Sequence, residues 1–202
     1  MRFAINGFGR VGRTLLRVYA SREDARARLT LAAINEIADA DTVVHLARYD
    51  SNYGRYPGAI ARAASSLVID QCSVPLSHVA EVALLPWQQH QIDLVLECTG
   101  AFTDRITAEQ HLQAGASRVL FSQPAESDVD ETIVYGVNSD SLSAEMTVVS
   151  AASCTTNAVV PVLATLNRVV GIEAATITTI HSLMNDQPVL DAYHHTDLRK
   201  TR

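Results

Sequence analysis

The chain has few cysteines, no long apolar run and no excess of positive charge, and each shortage removes a class of protein. Three cysteines among 202 residues, with no CxxC pair, cannot build a small disulfide scaffold. Together with the lack of a signal-like leader, they predict a reduced, cytoplasmic setting. No apolar stretch reaches the roughly 18 residues that crossing a bilayer demands. Sixteen Lys and Arg stand against 22 Asp and Glu, a net charge of −6. Nothing general therefore draws the chain to nucleic acid or an anionic membrane. Repeats, linkers and low-complexity tracts are also missing. With 48% hydrophobic residues the chain can still bury a core, spread over one to two domains.

What is present is an alternation of strands and helices. Strands are predicted at 2–6, 29–35, 93–98, 118–122 and 147–150, with shorter ones at 67–70 and 133–137. Helices are predicted at 10–20, 40–48 and 107–114, the last with Thr107 and Gln110 as a capping box and Gly115 as its stop. A helix from Thr155 and a strand at 174–181 follow. This order implies an α/β fold, a Rossmann-type doubly wound and mainly parallel sheet, followed by the start of an α+β catalytic domain. The domain change is expected around 150–153, separating 1–152 from 153–202.

Two motifs carry chemistry. Gly7-Phe8-Gly9-Arg10-Val11-Gly12 is G-x-G-x-x-G with a strand before it and a helix after it. Gly7 permits the tight turn, Gly9 lets the backbone approach a pyrophosphate, and Gly12 lets the helix pack closely, with the anion resting at the helix start. Glu36, ending the second strand, stands where a carboxylate accepts from ribose hydroxyls and repels a 2′-phosphate, which favours NAD over NADP. The second motif is Ser153-Cys154-Thr155-Thr156-Asn157, followed by His181. A thiol near a helix N-terminus gains thiolate character, and an imidazole beside it supplies the rest. Cys98, at the end of an apolar run, and Cys72, in a segment read as irregular, are packing residues. His45, His78, His90 and His111 have no assigned chemistry. His194-His195 are adjacent loop residues that rarely chelate one ion, so no metal site is expected.

The stretches at 5–12, 97–100 (Glu-Cys-Thr-Gly), 135–138, 150–157 and 178–181 together resemble the glyceraldehyde-3-phosphate dehydrogenase family, in order and over the whole chain. The resemblance implies that Cys154 is the nucleophile and His181 the base. It places NAD against Gly7, Gly9, Arg10, Val11, Gly12, Glu36, Thr99, Gly100 and Ser122. A small phosphorylated aldehyde would lie on Ser153, Cys154, Thr155, Arg199 and Lys200. It also implies a homotetramer when complete. One departure is Ala80, where the family usually has an arginine near the adenine, so weaker cofactor binding or a compensating group is expected.

The tail separates subgroups. Where the glycolytic enzyme has phosphate-holding threonines, this chain has Met184 and Asp186; a thioether cannot donate to a phosphate and a carboxylate repels one. That pattern, with Asn35-Glu36, resembles the erythrose-4-phosphate dehydrogenase subgroup, whose product feeds pyridoxal phosphate synthesis. A phosphorylating glyceraldehyde-3-phosphate dehydrogenase and a non-catalytic nucleotide-binding module are the alternatives. By the same resemblance Arg202 falls within a loop, so the sequence reads as a fragment, expected to show little activity by itself.

Overall fold

The strands predicted at 2–6 and 29–35 are nearly unbroken apolar runs, a pattern that demands cover on both faces of a sheet. The computed structural model, which describes residues 1–181, supplies that cover. β1 (Arg2–Asn6) and β2 (Thr30–Asn35) bury every residue after the first. On one face Phe3, Ile5 and Ile34 pack against Leu16 of α1 (Arg10–Ser21) and Val43 and Ala47 of α3 (Ala40–Arg48). On the other, Ala4, Ala33 and Val95 pack against Trp87 and Ile92. A short α2 (Glu23–Arg28) links α1 to β2.

After α3 come a small hairpin, β3 (Tyr49–Asp50) with β4 (Gly54–Arg55), and an antiparallel flank of β5 (Ile60–Arg62), β6 (Ser66–Ile69) and β7 (Cys72–Ser77). Then follow α4 (Trp87–His90), β8 (Leu94–Glu97), α5 (Arg105–Gln113), β9 (Arg118–Phe121), β10 (Glu131–Thr132), β11 (Val148–Ser150) and α6 (Cys154–Val170). The nine-stranded sheet runs β10-β11-β9-β8-β1-β2-β7-β6-β5, parallel from β10 to β7. The chain divides into two compact units, Met1–Thr165 and Leu166–Arg202. The sheet lies within the first.

From β1 the chain winds first toward β2 and later toward β8, so the order reverses beside β1, where open α/β sheets bind ligands. Register brings five strand ends to one edge: Asn35 beside Asn6, Asn6 beside Glu97, Glu97 beside Phe121, Phe121 beside Ser150. Backbone bonds stitch the residues that follow. Gly7 N donates to Asn35 O, Cys98 N to Asn6 O, Ser122 N to Glu97 O and Ala151 N to Phe121 O, each at 2.7–3.0 Å.

Several expectations need correction. No strand spans 133–137. There Asn138 Oδ1 accepts from Val134 N (2.7 Å) and its Nδ2 donates to Thr132 O (2.9 Å), so a side chain replaces the strand partner. No ladder among the described residues pairs 174–181, and a strand is defined by its partner. Cys72 opens β7 rather than lying in an irregular segment: Asp70 and Gln71 form the hairpin turn at φ 48° and 74°. That turn chemistry was hidden because neither residue is the glycine such turns favour. The cap of α5 is Asp104, whose carboxylate accepts from Thr107 N at 2.8 Å, and not the Thr107–Gln110 box; the carboxylate three residues earlier is the better acceptor.

Candidate active site

The glycine turn is built by close approaches that a side chain would block. Gly7 has φ +86°, and a Cβ there would lie 2.5 Å from Thr99 N. A Cβ on Gly12 would strike Gly7 O, so α1 rests directly on the turn. Gly9 differs: a Cβ there would meet nothing within 4 Å. Its backbone therefore faces open space at the start of α1, the approach a pyrophosphate needs.

Beside this turn lies a cleft of about 270 Å³, lined by Gly7, Gly9, Asn35, Glu36 and Thr99 with an apolar wall that includes Val79, Val82, Leu85 and Phe102. Ala80 also lines it, and among the described lining residues none has a cationic side chain. Among those residues no group stands in for the arginine that the resemblance leads one to expect at position 80. The glycine turn itself aims Glu36: Oε2 accepts from Phe8 N at 2.7 Å and Oε1 from Ala38 N at 3.1 Å. Each oxygen keeps a further lone pair for hydroxyls, and the carboxylate disfavours a 2′-phosphate. These features fit NAD. A larger apolar hollow of about 380 Å³ between Leu120, Val149 and Leu142 has neither glycine turn nor carboxylate, so the smaller cleft is the candidate.

Of the other residues expected at the cofactor, Arg10, Val11, Gly12, Gly100 and Ser122 do not line the cleft. Arg10 lies 3.7 Å from Asp50 as a half-exposed ion pair. Val11 is on the exposed side of α1. Gly100 turns at φ +73°, and Ser122 Oγ bonds Gln123 Oε1 at 2.9 Å.

Cys154 opens α6 at the same sheet edge, four residues after β11 ends, and it is exposed. The turn leading to it is strained: Ala152 has φ +59°, which costs a non-glycine residue about 1 kcal/mol. Ser150, fully buried, holds that turn by donating to Gln123 O (2.8 Å) and accepting from Ala152 N (3.1 Å). Ser153 caps the helix, accepting from Thr156 N at 2.9 Å and bonding the hydroxyls of Thr155 and Thr156 at 3.0 and 2.7 Å. Asn157 Nδ2 ties back to Ala151 O and Ser153 O. Ser153 is thus engaged in shaping the loop, a role the motif did not reveal. His181 belongs to the second unit. Arg199 and Lys200 lie outside the described residues.

Cys98 is the opposite case. Burial pushes its thiol up to about 12, only partly opposed by a bond from Ser122, and Glu97 pushes it further. Missing from the sequence reading was a buried chain beneath the cleft: Asn35, Asn6, Glu97, His111 and Trp87. The available signal was polar residues, Asn6, Asn35 and Glu97, ending otherwise apolar strands. Among the described residues, no group of three or more His, Cys, Asp or Glu could hold a metal, and no helix is long and apolar enough to cross a membrane.

Comparison with known families gives two matches. Residues 1–105 match the NAD binding domain of glyceraldehyde 3-phosphate dehydrogenase, and residues 153–202 match the C-terminal domain of the same enzyme family.

Proposed function

This chain belongs to the glyceraldehyde 3-phosphate dehydrogenase family, and from that premise we propose that it oxidises D-erythrose 4-phosphate to 4-phosphoerythronate. The cofactor is NAD, and NAD-dependent oxidation of an aldehyde phosphate is the activity its two domains support. The observation that carries the reading is one sheet edge. It presents the glycine turn, Glu36 and Thr99 and, further along, Cys154 at the start of α6. The finer choice of substrate rests on Met184 and Asp186 in place of phosphate-holding threonines.

In the proposed reaction His181 takes the thiol proton and Cys154 Sγ attacks the aldehyde carbon, giving a thiohemiacetal. The Cys154 N–H, in the first turn of α6, holds the oxyanion. His181 returns that proton to the oxyanion and then, neutral again, removes it from the hydroxyl as the carbon is oxidised, leaving a thioester on Cys154 that water hydrolyses. NAD, when bound, supplies the two-electron acceptor. Gly7 and Gly9 would hold its pyrophosphate and Glu36 its ribose. Thr155, Arg199 and Lys200 would hold the substrate phosphate, with Ser153 holding the loop. We further take 1–152 as the cofactor domain and 153–202 as the beginning of the catalytic one. A cytoplasmic homotetramer serving pyridoxal phosphate synthesis completes the proposal.

The test is NADH production from erythrose 4-phosphate and from glyceraldehyde 3-phosphate, each with and without inorganic phosphate. Phosphate-independent turnover of the four-carbon substrate supports the reading. Turnover that requires phosphate and prefers the three-carbon substrate replaces it with the glycolytic activity.

A further inference from the structure

The buried chain under the cleft ends on the cofactor loop. Glu97 is fully buried, and its carboxylate accepts four bonds. Oε2 takes Asn6 Nδ2 at 2.6 Å and His111 Nε2 at 3.0 Å. Oε1 takes Thr99 N at 2.8 Å and the Thr99 hydroxyl. On its far side His111 Nδ1 meets Trp87 Nε1 at 2.9 Å. An indole N–H can only donate, so Nδ1 must be the acceptor and the ring's one proton sits on Nε2. His111 is therefore a neutral donor to Glu97, and its contact with that carboxylate is a hydrogen bond rather than an ion pair. A protonated ring would set two N–H groups against each other.

We propose that His111 and Trp87, neither of which lines the cleft, are positioning residues for NAD. Trp87 fixes the His111 tautomer, His111 fixes Glu97, and Glu97 fixes Thr99, on whose backbone the Gly7 turn rests. The Thr99 hydroxyl spends its proton on Glu97 and accepts from Ala101 N at 3.2 Å. With its proton committed to Glu97, that hydroxyl has none left to donate to a ligand. The far end of the chain is anchored as well: Gln88 N donates to Ala114 O at 2.9 Å, and Gly115 packs on Gln88. The inference rests on the cleft being the NAD site.

Three variants of the full chain test it by calorimetric titration with NAD. His111→Leu, which leaves Glu97 a donor short, should weaken NAD binding roughly tenfold, the scale of one bond to a buried charge. His111→Gln, whose amide nitrogen reaches the Nε2 position, should recover to within about threefold on the same scale. Leu67→Ala, which opens the core of the antiparallel flank away from the chain, should lower stability and leave NAD affinity as in the parent. The ¹⁵N spectrum of histidine-labelled protein should show His111 with a bare Nδ1 and a protonated Nε2. Equal affinity in all variants, no recovery in His111→Gln, or a doubly protonated ring overturns the proposal. A parent that binds no NAD overturns the cleft reading, and this proposal with it, while normal binding in every variant overturns this proposal alone.

Discussion

Two loops leave the same sheet edge and treat their thiols in opposite ways. At the end of β8, Cys98 is buried, its loop is pinned by Glu97 beneath it, and every polar partner is internal. At the end of β11, Cys154 is exposed at the start of a helix, reached through a turn that holds an alanine in a left-handed conformation. A thiol's surroundings, rather than its distance from a strand end, set whether it can ionise. The closed loop is fixed from beneath by its bonds to Glu97. The open one presents a group to solvent and is held by hydroxyl contacts within the loop.

The sharpest break in this comparison is alkylation. With its thiol raised to about 12, Cys98 should react with iodoacetamide roughly a thousandfold more slowly than an ordinary thiol at neutral pH. Peptide mapping should find Cys154 labelled first; comparable rates would erase the contrast. Next in size is the closed loop's own stability. Glu97→Leu strands the donors of Asn6, His111 and Thr99 and should cost on the order of 3–5 kcal/mol in urea unfolding. A loss under about 1 kcal/mol would mean the bonds matter little.

A smaller effect is expected where β11 begins. Burial works to raise the Asp130 carboxyl, but N–H groups of Val148 and Thr147 and the Arg105 guanidinium outweigh it and hold it near 2. The folded value lies below the ordinary 3.8, so its contribution is full above that pH and fades as pH falls toward 2. Asp130→Asn should therefore cost on the order of 1–2 kcal/mol at pH 6, and the difference from the parent should vanish near pH 2. A gap independent of pH would refute this account. Smallest is the cap. Ser153→Ala removes the acceptor of Thr156 N and should cost about 1 kcal/mol, read as a lower unfolding midpoint.

The local rules reached far. The glycine motif was legible because Gly7 and Gly12 are demanded by backbone contacts that no other residue permits. Parallel strands were legible from apolar runs, and Cys154 from its place before a helix. Pairing was less so. Residues 133–137 have strand composition, but after Ile133 N bonds Ser150 O the ladder stops, because Asn138 takes Val134 N instead, and no rule of spacing announces that choice. The Asp70-Gln71 turn escaped notice for a similar reason, since Asp70 suits such a turn but Gln71 stands where glycine is favoured and is held at φ 74° by β6 and β7 pairing.

Sequence alone determined which residues are candidates to act: glycines that fit a phosphate turn, a carboxylate at a strand end, a cysteine with a helix behind it. Those are properties of short windows, where sterics and periodicity decide. Tertiary structure decided which of them share a cleft, why Cys98 is buried, and that His111 and Trp87 stand behind the Thr99 loop. Burial and hydrogen-bond partners come from residues far apart in the chain, and only the folded sheet brings them together.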